Sequence, residues 1–189
     1  RNCKSARCRI YKRDLFHSIM GGKKPVISYE NPKLKNGIVY HSCRFSRCHK
    51  LFLILHKYLY SKNNKKYFTN RVLNYLTPEA IAIWYMDDGG LVKSKWNGNI
   101  CSISARLFTY CSEEEADLIV KYLKKFWNIS SKKKQYTKKE QWNIHFSVEE
   151  TKKLEDFLSS FIIPSMRYKL HSYWIPRVLD PITLGEEIV

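Results

Sequence analysis

The sequence predicts an α+β chain in which antiparallel strand pairs lie between capped amphipathic helices. Ser112 with Glu115, and Ser147 with Glu150, form the Ser-x-x-Glu signature of a helix start, and apolar residues follow each at helical spacing. Before and between these helices, apolar residues instead alternate with polar ones, the period of a half-buried strand. The same order of elements also occurs twice. At 189 residues the chain can bury a sizeable core, as one large domain or two small ones.

Residues 11–20 predict a short helix stopped by Gly21 and Gly22, strands are expected over 26–29 and 37–45, and a helix over 51–60. Thr77 is a good N-cap and Pro78 a good first helical residue, so a helix starts there and runs to Asp87 and Asp88. Strands over 91–96 and 99–109 come next, then a helix over 113–127 whose apolar stripe is Ala116, Ile119, Val120, Leu123, Phe126 and Trp127. Tyr136, Trp142, Ile144 and Phe146 alternate with polar residues across a lysine-rich loop, as in a hairpin with one wet face. Leu154, Phe157, Leu158 and Phe161 then mark a helix ending before Pro164. The helix-strand-strand-helix order of 113–161 repeats that of 11–60, and an offset of 104 residues sets His41 on His145, 51–60 on 155–164 and Lys65 on Lys169. By that offset the counterpart of Asp88 falls at position −16, ahead of Arg1. His41 and His145 fall on predicted strands and read as structural.

The 34 Lys and Arg against 17 Asp and Glu give a net charge of +17, which favours a phosphate polyanion, nucleic acid above all, as partner. No stretch reaches the roughly 18 apolar residues of a membrane span, and no basic amphipathic helix dominates, so no membrane partner is expected. The first residues show no signal-peptide pattern, and with Arg1 in place of an initiator methionine the chain is expected to begin inside a longer protein. Six cysteines include two Cys-x4-Cys pairs, the second followed by His49, a spacing looser than that of zinc knuckles. Reduced thiols in an intracellular protein are expected, rather than zinc. Richness in Lys, Asn, Tyr and Ile points to an AT-rich coding genome such as that of a mitochondrion or plastid.

The most informative run is Tyr85, Met86, Asp87, Asp88, Gly89 and Gly90, where an apolar helix ends in two carboxylates and two glycines. Carboxylates at a helix C-terminus lie at its negative pole, which disfavours anions by about 0.3–1 kcal/mol. A cation is therefore expected there, and a metal would account for the pattern. Tyr85-Met86-Asp87-Asp88 also spells the metal-binding tetrapeptide of reverse transcriptases, but that sequence occupies a hairpin turn in a much longer protein, and here it ends a helix.

The run over 81–89 resembles the LAGLIDADG helix of homing endonucleases, in the branch whose second motif reads like Leu76-Thr77-Pro78 through Trp84-Tyr85-Met86-Asp87-Asp88-Gly89-Gly90. Ile163-Pro164-Ser165-Met166-Arg167-Tyr168-Lys169-Leu170 looks like that branch's lysine-bearing segment, and Asn63-Asn64-Lys65-Lys66 like its first-repeat equivalent. The resemblance covers about residues 37–173. It implies two pseudo-symmetric αββαββα-type repeats whose motif helices pack side by side and whose antiparallel sheets form a saddle over DNA. A first repeat over 1–75 would lack its motif helix, a second would span 76–175, and a tail would span 176–189.

The activity implied is site-specific, metal-dependent cleavage of double-stranded DNA with Mg2+ or another divalent cation. Asp88 matches the catalytic and metal-binding acid, the Gly89 carbonyl a second metal contact, and Asp87 a residue just behind them. Lys169 matches the basic residue near the scissile phosphate and Lys65 or Lys66 its partner, a one-residue difference leaving the two undecided. Hydrolysing a phosphodiester at neutral pH calls for a metal to generate hydroxide and neutralise charge, which paired acids hold in place. A lysine nearby stabilises developing charge or simply contacts phosphate. One motif helix supplies half the ligands, so an upstream segment or a separate chain would have to bring the other acid. The alternative is a cleavage-inactive derivative that binds structured RNA as an intron splicing factor (a maturase) or as a ribonucleoprotein or ribosome-associated subunit. Arg44, Arg47, Arg106, Lys132, Lys133, Lys134, Lys138 and Lys139 lie in or beside predicted hairpins, where a two-stranded ribbon can enter a major groove. Any one of them alone reads as a solvated charge, and only the ensemble points to nucleic acid. The many aromatics read as core rather than as base-stacking residues.

Overall fold

The computed structural model describes residues 4–30, 42–60, 66–136 and 140–174. His41, Lys65, Lys138, Lys139, most of the strand expected over 37–45 and the tail over 176–189 lie outside the described residues. Two compact units are formed, one of Arg1–Tyr58 with Ile163–Met166 and one of Leu59–Ile162 with Arg167–Val189.

The first unit contains α1 (Lys4–Met20), β1 (Ser28–Glu30), β2 (Ser42–Arg44) and all but the last residue of α2 (Lys50–Leu59). α1 starts earlier than expected but stops where the glycines stop it. The N–H of Gly21 donates to His17 O at 2.9 Å, and Gly21 and Gly22 take φ of 61° and 68°, a left-handed backbone open to residues without a Cβ. β1 and β2 pair antiparallel with Ser28 opposite Arg44. The Phe16 ring lies 6.2 Å from that of Phe45 and 6.0 Å from that of Phe52, joining α1 to the segment after β2 and to α2.

The second unit contains α3 (Asn70–Leu73), α4 (Pro78–Asp88), β3 (Gly89–Trp96), β4 (Asn99–Cys111), α5 (Glu113–Trp127), β5 (Lys132–Gln135), β6 (Trp142–His145) and α6 (Val148–Leu158). Its strands form one antiparallel sheet in the order β3-β4-β6-β5. The caps act where the sequence places them. Ser112 accepts from Glu115 N while the Glu115 carboxylate accepts from Ser112 N at 2.8 Å, a reciprocal box, and its other oxygen takes Phe68 N at 2.6 Å. Ser147 likewise accepts from Glu150 N, at 3.1 Å, but the Glu150 carboxylate takes Ser130 N at 2.8 Å and Lys153 at 2.9 Å. The second Ser-x-x-Glu therefore caps α6 on one side and ties the α5–β5 connection on the other.

Strand alternation sends Ile103, Ala105, Leu107 and Ile144 to the face that α4, α5 and α6 cover. There Ile81, Tyr85, Leu107, Tyr122, Leu123, Phe146, Leu154 and Leu158 surround one apolar cavity. Ile144 and Leu158 are fully buried, each contributing about 1.5–3 kcal/mol by the area removed from water. One polar group sits among them. Buried Thr151 donates from Oγ1 to Ser147 O and accepts from Ala105 N, both at 2.7 Å, which fixes α6 on β4.

The order after the acidic motif is strand, strand, helix, strand, strand, helix, as expected, and α1-β1-β2-α2 matches α5-β5-β6-α6. Three details differ. Lys132–Gln135, expected as part of a lysine-rich loop, is strand β5, held by pairing with β6 although it lacks apolar alternation. α6 ends at Leu158 rather than near Pro164, with a 3-10 turn at Pro164–Lys169 beyond it. The offset of 104 residues sets β1 on β5, but sets α2 on 154–163, about half a helix past the start of α6.

Replacing Thr151 with Val keeps the volume and leaves the Ala105 N–H unpaired in the core. The expected cost is about 1–3 kcal/mol in urea unfolding of the full chain; an unchanged midpoint would show that this hydrogen bond does not hold α6.

Candidate active site and nucleic-acid interface

α4 begins with Thr77 accepting from Ala80 N at 3.2 Å and with Pro78 in its first turn. Ile81, Ala82, Tyr85 and Met86 are buried on one side, which carries Asp87 and Asp88 to the exposed end. The helix runs directly into β3. Gly89 closes it by donating to Tyr85 O, with φ −83° and ψ 157°, an extended backbone that any residue adopts. Glycine is required there because a Cβ would collide with the ring and carbonyl of Tyr85.

One cation at this negative pole is the ammonium of Lys169. Its Nζ donates to Met86 O at 2.6 Å and to Asp87 O at 3.2 Å, two of the carbonyls that a helix end leaves without intrahelical partners. Tyr85 returns the contact, its hydroxyl donating to Lys169 O at 2.9 Å. Burial, with the Glu155 charge as a second cause, pushes the Tyr85 phenol up, so it remains a protonated donor. The segment around Lys169 is held from further sides. The Glu155 carboxylate accepts from Ser172 N at 3.0 and 3.2 Å, the Trp174 indole N–H donates to Tyr168 O at 2.7 Å, and the Lys93 ammonium lies 3.1 Å from the Trp174 ring centroid.

The other face of the sheet is the basic one. Gly90 pairs with Arg106, Arg106 with His145 and His145 with Lys132, so one row runs across all four strands from the glycine of the acidic motif. It crosses three strand spacings, roughly 14 Å. Lys134, two residues from Lys132, lies on the same face. His145 is held down to about 4, by burial first and then by the charges of Arg106 and Lys134, so its imidazole is neutral at pH 7. The face is thus two lysines and an arginine around a neutral histidine, a setting that favours an anion.

Of the basic residues singled out in the sequence, Arg106, Lys132 and Lys134 share this face. Lys133 does not, because alternation turns it to the helices, where it pairs with Asp117 at 2.7 Å and Glu113 at 2.9 Å. Arg47 is also engaged within the fold: its guanidinium donates to Gly21 O and, at 3.2 Å, to Lys23 O. Arg44 is exposed at the end of β2, and Lys66 is exposed with its Nζ 6.0 Å from the Phe68 ring centroid. Sequence reasoning missed Tyr85 and the place of His145 beside Arg106. Tyr85 lies in the motif and meets its partner 84 residues later, a separation that periodicity does not report.

In donor chemistry the Asp88 carboxylate and a Gly89 carbonyl suit a hard divalent cation such as Mg2+. In donor number they fall short. Among the described residues no three His, Cys, Asp or Glu side chains come together, so these residues supply one carboxylate of the pair that a two-metal site uses.

The model of the LAGLIDADG DNA endonuclease family matches residues 4–154. A cytochrome b mRNA maturase of Debaryomyces hansenii is 32% identical over 150 residues, covering 75% of this chain and 53% of the relative. A probable intron-encoded endonuclease of Wickerhamomyces canadensis is 29% identical over 125 residues, covering 65% and 52%. The chain therefore spans about half the length of these curated relatives. Among solved structures, the homing endonuclease I-WcaI bound to its DNA recognition sequence superposes with a TM-score of 0.71 at 25% identity, covering 86% of this chain and 71% of that one.

The depressed His145 predicts a pH dependence whose sign follows from proton binding. Between pH 6.5 and about 4 the unfolded chain carries a proton on His145 that the folded chain does not, so stability falls as pH drops through that window. Urea midpoints compared at pH 7 and pH 5 should show a smaller fall for His145→Gln than for the native chain; equal falls would remove His145 from the cationic row.

Proposed function

Because this chain belongs to the LAGLIDADG DNA endonuclease family, we propose that it binds double-stranded DNA on the open face of its second sheet and contributes half of a metal-dependent cleavage site. In this reading residues 1–75 belong to the first repeat and 76–175 to the second, with a tail over 176–189. Asp88 and the Gly89 carbonyl hold a divalent cation, which supplies hydroxide at neutral pH and neutralises charge on phosphorus. Asp87 stands behind them. Lys169 faces the scissile phosphate, with Lys65 or Lys66 as its first-repeat partner, and an upstream segment or a separate chain brings the second acid. Arg106, Lys132 and Lys134, with Arg44 and the lysines at 138 and 139, contact the backbone and groove. The intron-encoded relatives support an organelle as the site of action, and no helix among the described residues is long and apolar enough to cross a membrane.

The observation that carries this reading is the position of Lys169. Its ammonium is fixed at the end of the helix that exposes Asp88, and the cationic row begins two residues further on at Gly90. A lysine serving only as a helix cap would need neither the exposed acid nor that row. The likeness to a maturase favours a second reading, in which the same basic face holds structured RNA and cleavage is lost.

In full-length protein with Mg2+, Asp88→Asn should abolish nicking of a duplex selected from a random library while sparing its binding. Lys169→Met should slow cleavage by roughly 100-fold or more. Cleavage unaffected by Asp88→Asn sinks the nuclease assignment, and recovery of the native protein with one defined RNA would favour the maturase.

A further inference from the structure

We propose that Phe108, Tyr110 and Tyr136 form a stacking platform for unpaired bases of an RNA strand, with Arg106 and Lys134 beside it to hold the phosphates. The proposal rests on the nucleic-acid-binding reading and deepens it. The Phe108 and Tyr110 rings stack at 5.9 Å with 23° between planes, and Tyr136 meets Tyr110 edge-on at 5.5 Å. Tyr110 is 48% exposed and Tyr136 37%, so these rings are not core. Phe108 belongs to the open face: it is two residues along β4 from Arg106, whose guanidinium lies 4.9 Å from the ring centroid, and a Cβ on Gly90 would touch its edge.

The backbone is shaped to present Tyr110. Leu107 stands opposite Ile144 and Cys111 opposite Trp142, so three residues of β4 face the single Asn143 of β6. Such a bulge re-aims side chains. Tyr110 takes φ 48°, a left-handed conformation that costs a bulky residue about 1–3 kcal/mol. Asn143, itself buried, offsets that cost by accepting from Thr109 N at 3.0 Å and Tyr110 N at 3.3 Å, while Thr109 Oγ1 donates to Trp142 O at 2.6 Å. A hydrogen-bonded frame that keeps an aromatic residue strained and exposed is difficult to explain as packing.

The chemistry of the surroundings selects the occupant. Lys134 pairs in register with Asn143, directly behind the bulge, and the buried Arg106 Nε has no hydrogen-bond partner among the described residues. An apolar peptide would gain nothing from these cations, whereas a nucleotide uses both them and the rings. Bases inside a duplex have their faces covered by neighbours, so ring faces can stack only on bases out of a helix.

The test compares binding of the full chain to a short single-stranded RNA and to a DNA duplex of matching sequence. Tyr110→Asn removes the ring and keeps a residue that tolerates the left-handed backbone. Phe108→Leu keeps an apolar contact, and Tyr136→Ala, beyond the last residue of β5, keeps the backbone bond from Tyr136 N to Gln141 O. Each ring lost should weaken RNA binding roughly 10-fold and weaken duplex binding far less. Unchanged RNA affinity in all three variants, or equal losses on RNA and duplex, overturns the platform. A native chain that binds duplex DNA but not single-stranded RNA overturns the platform alone; one that binds neither overturns the nucleic-acid reading as well.

Discussion

The ammonium of Lys169 over the last carbonyls of α4 is the contact on which the geometry of the site depends. α4 ends in two carboxylates, an arrangement its own dipole opposes. Lys169 supplies positive charge at that pole and partners for two carbonyls, and Tyr85 holds the backbone of Lys169 in return. With the helix end fixed, Gly89 lets β3 leave at close range over the Tyr85 ring, and the strand enters the sheet with Gly90 opposite Arg106. The exposed acid, the lysine and the first row of the basic face are thereby placed by one local arrangement.

The sheet then separates two uses of charge by alternation alone. On the helix face, Lys133 is matched by Glu113 and Asp117 of α5, and Lys93 lies on Trp174. On the open face, Arg106, Lys132 and Lys134 surround His145, whose proton affinity is lowered by burial first and then by the charges of Arg106 and Lys134. Neighbouring residues of β5 thus serve opposite ends: one lysine fastens a helix, and the two beside it face outward. In the proposed reading this outward charge is where the polyanion binds.

Local signals were legible because they are local. Thr77, Pro78 and the Ser112–Glu115 pair announce their helices, and the glycines after α1 and α4 mark where those helices stop. What escaped depends on partners distant in sequence. Lys132–Gln135 has the composition of a loop and becomes a strand because β6 is there to pair with it. The carboxylate of Glu150, expected to close a capping box, finds Ser130 instead. The excess negative charge at the end of α4 was readable as a need for a cation, but that Lys169 meets it follows only from the fold that returns the chain to α4. Aromatics expected in the core include Tyr110 and Tyr136, which an irregular strand pairing leaves at the surface.

Urea unfolding of the Lys169→Met chain tests the central contact most directly, since methionine keeps the length of the side chain and removes its charge. Loss of two charged hydrogen bonds at a helix C-terminus should lower stability by about 1–3 kcal/mol. An unfolding midpoint equal to that of the native chain would contradict the account, because the ammonium would then contribute nothing to holding the end of the acid-bearing helix.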